Sequence, residues 1–342
     1  MRAWTFRFYQ EKISFQMTAR WLSVCSSVFI LLAALFMVYL SAGSEWVPVG
    51  DAMKNALQLS DSHAFVIGEL RLPRALLAML VGGALAVSGL ILQSIVRNPL
   101  ASPDIIGITS GASFASILFI SIGTFSMAFL PVAAMVGGFI TATFIYLLSW
   151  SKGVTPIRLV LIGIGVSAIL KAGVTFLLVY SDTYTTSKAY IWITGSVYAA
   201  TWDDVQALAL WLLLPVPLIL YVSKSLTLSE LGDDIAISMG IRLQTQRFLL
   251  LMCSVILAAS AAAYAGGIEF VGLMAPHMAR KLVGRSILGL FPVTAMIGAT
   301  LVLFADLLAR TLFLPLDIPA GVFTATIGAP FFIYLLFHNR NR

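Results

Sequence analysis

The chain has 342 residues, of which 60% are hydrophobic and only 11% charged. A soluble domain needs about a quarter of its residues charged, so a water-soluble fold is excluded and an all-α polytopic membrane protein is expected. Closed β-barrels are excluded too, because their spans alternate apolar and polar residues whereas the apolar runs here are continuous. The net charge of +6 reads as basic loops retained on the cytoplasmic side rather than as a nucleic-acid surface.

Residues 1–20 form a basic, amphipathic lead placed on the inner face. The apolar run that follows is longer than the ~7–15 residues of a signal-peptide core, so it is read as a retained first helix over 21–41. An external segment over 43–70 leads to the stretch 71–103, which opens with Arg71-Leu72-Pro73-Arg74 and closes with Arg97-Asn98-Pro99-Leu100. Between these basic clusters, 75–96 carries no charge; at ~1.5 Å per residue it makes about 33 Å of helix, enough to cross a hydrocarbon core of ~30 Å. Ala78, Gly82, Ala86 and Gly89 fall on one stripe of this helix, the pattern of close helix packing in lipid. Gln93 continues the stripe, either within that packing or as a polar contact on a path through the protein.

Helices follow over 104–123, after a break at 102–104, and over 128–150 and 156–180. Residues 189–198 are too short to cross and are read as a surface or re-entrant helix. Pro215 and Pro217 kink a helix over 204–222. The longest inner polar segment, 223–244, precedes a helix over 245–265, a Gly266-Gly267 break, a segment over 268–283, and helices over 288–313 and 318–337. About ten helices result, in a single transmembrane domain spanning 1–342 with both termini cytoplasmic. Most of the 21 Lys and Arg residues then lie inside, as the positive-inside rule requires. Lys54, Arg71, Arg74, Lys188 and Arg310 lie outside.

Cys25 and Cys253 sit within apolar spans and act as small buried residues. No HExxH, GxSxG or His/Cys cluster is present, so neither a metal nor another cofactor is expected, and no catalysis. The absence of GxxxxGK[ST] means that ATP phosphates would have to be held by another polypeptide. Lys171, Glu269, Asp306 and Arg310 are the charges within or near spans. Asp306 and Arg310, four apart, share a helix face and can pair. An ion-coupled carrier would place ionisable groups mid-membrane, and only Lys171 is clearly interior. On the inner side, Gly232, Asp233, Asp234, Ala236, Met239 and Gly240 outline a short helix with acid in its first turn, where the helix dipole favours it. Ile235, Ala236 and Met239 give it an apolar face, suited equally to a partner's groove and to a lipid surface.

In combination, RLPR at 71–74, GGALAVSG at 82–89, RNPLASP at 97–103, WITGS at 192–196, LGDDIAISMG at 231–240, GGIEFVGLMAPHMAR at 266–280, ADLLAR at 305–310 and IPAGVFTATIGAPFF at 318–332 resemble the FecCD-type permeases of ABC importers for ferric siderophores, haem and cobalamin. The resemblance runs from about residue 20 to the end. It implies a type II importer fold of about ten helices, like that of the cobalamin permeases, in the bacterial plasma membrane. It also implies a second permease subunit, identical or paralogous, two ATP-binding subunits beneath and an extracytoplasmic solute-binding protein above. By position, Arg71, Arg74 and Arg310 would meet carboxylates of the binding protein, and 232–240 would be the coupling helix on the ATPase. Asp233-Asp234 stands where relatives often carry a glutamate. Ferric siderophore is the expected substrate, with haem or cobalamin as the alternative within the family and an ion-coupled secondary carrier as the alternative outside it.

Overall fold

The computed structural model describes residues 3–8, 13–60, 62–123, 126–151, 153–229, 232–284 and 286–339. The two ends of the chain, 1–2 and 340–342, lie outside the described residues, as does Leu231 of the inner motif.

In the lead, β1 (Ala3–Phe8) and β2 (Ile13–Thr18) pair antiparallel. The Thr18 side chain then accepts from Trp21 N at 3.1 Å and starts α1 (Ala19–Ser41). The external segment holds α2 (Val49–Ala56) and a wide-turned stretch, Phe65–Arg71, that runs directly into α3 (Leu72–Val96). The crossing helix is therefore longer than its uncharged stretch: Phe65–Val96 is one continuous helical span.

The next span is broken inside, not only before its start. A four-residue turn of helix, α4 (Pro103–Ile106), ends at Gly107, whose φ of +93° suits glycine, and α5 (Ile108–Ile122) resumes beyond it. Then come α6 (Leu130–Ser149) and α7 (Pro156–Tyr180). The piece too short to cross is a twelve-residue helix, α8 (Thr183–Thr194), capped by Asp182. The Pro215 helix is interrupted at Leu214, giving α9 (Trp202–Leu213) and α10 (Pro215–Ser229). The remainder is α11 (Asp233–Ser238), α12 (Leu243–Ala265), α13 (Val271–Val283), α14 (Ile287–Thr311) and α15 (Ala320–Asn339).

Among the described residues, eight helical stretches are long and apolar enough to cross a membrane. Of the ten expected, α5 and α13 are the short ones, and each follows a non-helical break, at Gly107 and over 266–270. Such backbone is tolerated at membrane depth where protein or a cavity surrounds it.

The core is built on α3, which packs on α12, α13 and α14. The small-residue stripe makes this possible. A Cβ on Gly82 would stand 2.2 Å from Gly298 O, and one on Gly89 only 1.9 Å from Gly272 O. The Ala86 methyl fills the space over Gly298. The helices thus touch backbone to backbone, and Ser88, buried between α3 and α12, bonds Ser254 at 2.7 Å. Gly83, on the adjoining face, has only ordinary contact with Ala295 O at 3.5 Å. Gly89→Val is expected to cost more than the ~1–3 kcal/mol typical of overpacking, because backbone cannot yield. It should abolish a monodisperse detergent-solubilised peak, while Gly83→Ala leaves both the peak and its thermal midpoint unchanged.

Candidate functional site

Three polar constellations stand out: one at each end of α3 and one beside the two breaks. At the outer end, Arg74 on the first turn of α3 is only 8% exposed. Its Nε and Nη2 donate to Asp306 Oδ2 and Oδ1 at 2.8 and 2.7 Å. Nη1 and Nη2 also donate to Asp317 Oδ2 and Oδ1 at 2.6 and 2.8 Å. Asp306, on α14, is fully buried and also accepts from the Tyr39 hydroxyl of α1. Arg71 donates to the carbonyls of Leu40, Ser41 and Glu45 at 2.7, 3.0 and 2.7 Å. Its guanidinium fills the space a side chain at Gly43 would need. Arg310 donates to the carbonyls of Tyr39 and Ala42 and lies over the Tyr39 ring, 3.9 Å from its centroid.

These facts correct two expectations. Asp306 pairs with Arg74 across two helices and not with Arg310 one turn away. Arg71, Arg74 and Arg310 do not stand as free outward charges; each is turned inward onto groups of the same chain.

At the inner end, Arg97 closes α3 in a left-handed conformation and pairs with Asp233 of α11. Arg247 of α12 donates through Nη2 to both Asp233 oxygens, each at 2.9 Å, and through Nη1 to Val154 O at 3.1 Å. Partial burial would raise the Asp233 carboxyl, but the hydrogen bond and charge of Arg247, with those of Arg97, outweigh it and hold the group below the usual carboxylate range. Asp233 therefore fastens α11 to the body, and Asp234 is exposed. The expected apolar face divides: Ala236 is buried, whereas Ile235, Ile237 and Met239 point outward with about half or more of their surface exposed.

Gln93 is buried against α13, donating weakly to Gly272 O and Leu273 O at 3.3 and 3.4 Å and accepting from Arg280. It lies in the packing between α3 and α13. Two cavities elsewhere bring together charged side chains of the spans and breaks, with Lys171 and Glu269 exposed to them and Asp104 partly buried. One of about 590 Å³ and another of about 380 Å³ are both lined by Asp104, Lys171 and Glu269. Lys171 and Glu269 were legible in the sequence as charges within or near spans. Asp104 was seen only as part of a helix break, because nothing local shows that α7 and 266–270 fold against it.

Residues 31–338 match the profile of the FecCD transport family. The achromobactin transport system permease protein CbrC of Dickeya dadantii (strain 3937) is 46% identical over 97% of this chain and 96% of its own length. The iron(3+)-hydroxamate import system permease protein FhuG of Bacillus subtilis (strain 168) is 40% identical over 92% of this chain and 96% of its own. Among solved structures, a metal-chelate type ABC transporter in an inward-facing conformation superposes with a TM-score of 0.82 at 33% identity, covering 93% of this chain and 99% of that one.

Two outcomes follow from the end networks. Removing one side of a buried ion pair costs about 3–5 kcal/mol. Asp306→Ala should therefore lower the unfolding midpoint in mild detergent far more than Asp317→Ala, whose side chain is partly exposed and whose loss costs no more than about 1 kcal/mol. The depressed Asp233 carboxyl contributes stability that is fully present above the ordinary aspartate value of ~3.9 and is lost as pH falls through its lower folded value. The midpoint difference between the wild type and Asp233→Asn should thus be constant from pH 8 to about pH 5 and shrink only below that.

Proposed function

The chain belongs to the FecCD transport family, and from that membership we propose that it is the membrane-spanning subunit of an ABC importer that carries a ferric siderophore across the bacterial plasma membrane. ATP hydrolysis resides on partner chains, and this subunit contributes the path and its gating. The observation that carries the reading is α11: a short helix with its acid tied back to Arg97 and Arg247 and its apolar side chains turned outward. A lipid-lying helix needs no such fastening to two crossing helices. A helix that transmits force does.

In this reading the inner face, with both termini, is cytoplasmic. Two ATP-binding subunits seat on α11 of this chain and on its counterpart in a second permease subunit, identical or paralogous. A solute-binding protein docks at the outer end. There the arginines act through the shape they impose: Arg71, Arg74 and Arg310 fix the ends of α1, α3 and α14. Carboxylates of the docked protein would reach Arg74 by competing with Asp317, the more exposed of its two partners.

Proteoliposomes holding the complete importer should accumulate radioiron-labelled siderophore only with ATP inside. Ile235→Asp combined with Ile237→Asp should reduce co-purification of the ATP-binding subunits at least tenfold without loss of the permease from the membrane. Uptake that persists without ATP and collapses with a proton uncoupler would instead establish an ion-coupled carrier.

A further inference from the structure

The family includes permeases for chemically different chelates, so membership alone leaves the class of cargo open; the interior charge bears on it. α7 is drawn tightly onto the first helix break. A Cβ at Gly163 would stand 2.9 Å from Ile106 O, and one at Gly107 would stand 2.6 Å from Ser167 Oγ. One turn beyond Ser167, near the middle of α7, this places Lys171 beside Asp104. The second break brings Glu269: Gly266 and Gly267 lie so close to the carbonyls of Trp192 and Ile193 that no side chain fits, and the extended segment delivers Glu269 to the same place. Asp104, Lys171 and Glu269 line the same two cavities.

The cavities are arranged along α7. The larger is lined by Ile164, Ser167 and Lys171, the smaller by Lys171, Val174 and Thr175. Lys171 thus stands at the junction of the two, with Asp104 and Glu269 shared between them. Their volumes are those of small-molecule sites. Among the described residues Lys171 has no carboxylate in ion-pair contact, although two face it. Its ammonium protons are therefore open to a ligand. Independently, Ser167 lines the larger cavity, is only 7% exposed, and its hydroxyl has no hydrogen-bond partner. A buried polar group left unpaired is costly, as is an ammonium at membrane depth. Both costs fall when a polar cargo occupies the cavity.

We propose that Asp104, Lys171 and Glu269 form a polar waist in the transport path and that Lys171 receives an uncoordinated carboxylate of the ferric chelate, with Asp104 and Glu269 accepting from its hydroxyl groups. This rests on the importer reading above and assigns the cargo to the carboxylate class. The two acidic groups line the same cavities as Lys171 without an ion-pair contact to it. They also make the site weak for a carboxylate, as a path requires: cargo must leave as well as enter.

The test uses the complete importer in proteoliposomes with three radioiron probes: ferric citrate, a ferric trihydroxamate and a ferric tris-catecholate. The wild type is expected to take up ferric citrate. Lys171→Met should lower that uptake tenfold or more, and Lys171→Arg should retain at least half of it, with the level of permease in the membrane the same in both. Lys171→Cys should react with a water-borne thiol reagent and be protected by ferric citrate; Cys25 and Cys253 are measured as background in the parent. No uptake of any chelate by the wild type would overturn the importer reading and this proposal with it. Import of the other chelates without citrate, citrate uptake within twofold of wild type in Lys171→Met, or labelling of Lys171→Cys that citrate does not slow would overturn this proposal alone.

Discussion

A guanidinium buried in a membrane protein must have its N–H groups satisfied, and Arg74 meets two carboxylates. Its bidentate pair with Asp306 joins α3 to α14, its second pair ties down the loop after α14 through Asp317, and the Tyr39 hydroxyl on Asp306 brings in α1. Buried ion pairs are poor sources of net stability, because desolvation cancels much of the attraction, but breaking one is severe. Their effect here is on register. With Arg71 and Arg310 holding the last carbonyls of α1, three helices can meet at the outer end in one way only.

That register is carried inward without slack. At Gly82 and Gly89 the backbone of α3 touches those of α14 and α13 directly, so neither contact can slide without a collision. At the inner end, Asp233 binds Arg97 of α3 and Arg247 of α12 together. A push on α11 therefore reaches α3 as a displacement of a rigid body, fastened at the top by Arg74. The acid of α11 is consumed in this fastening, which leaves Ile235, Ile237 and Met239 for contact with the outside.

The parts of this arrangement legible in the sequence are those governed by local period and composition. The crossing length of α3, its small-residue stripe, the proline interruption near 215 and the short inner helix all follow from residues a turn or two apart. The directions of the charged side chains do not. Arg71 and Arg74 sit at the end of an apolar run and read as outward charges; only the fold brings Asp306 beneath Arg74, 232 residues away in the chain. The same locality makes Arg310 seem the natural partner of Asp306. The pairing of strands 3–8 and 13–18 does not show in the sequence, because an amphipathic basic segment has no unique period over so few residues. Likewise Asp104 looked like punctuation before a helix until the Gly107 break and α7 gave it neighbours.

The rigid element and the polar path are different parts of the molecule, and the backbone explains why. α3 has unbroken helical hydrogen bonding and glycine contacts on two sides, so it offers no room for cargo; Gln93, the polar residue on its stripe, is spent on Gly272, Leu273 and Arg280. Space opens instead where helices are interrupted. At Gly107 and over 266–270 the chain surrenders regular hydrogen bonds, and such gaps are tolerated at membrane depth only against protein or a polar cavity. Asp104 and Glu269 lie at those two gaps, with Lys171 across from them on α7. α4, α5 and the 266–270 segment are short and separately jointed, whereas α3 is one continuous helix. A strut that moves as one piece beside breaks that yield is the mechanical contrast a gated path needs, and both halves arise from where this sequence places its glycines.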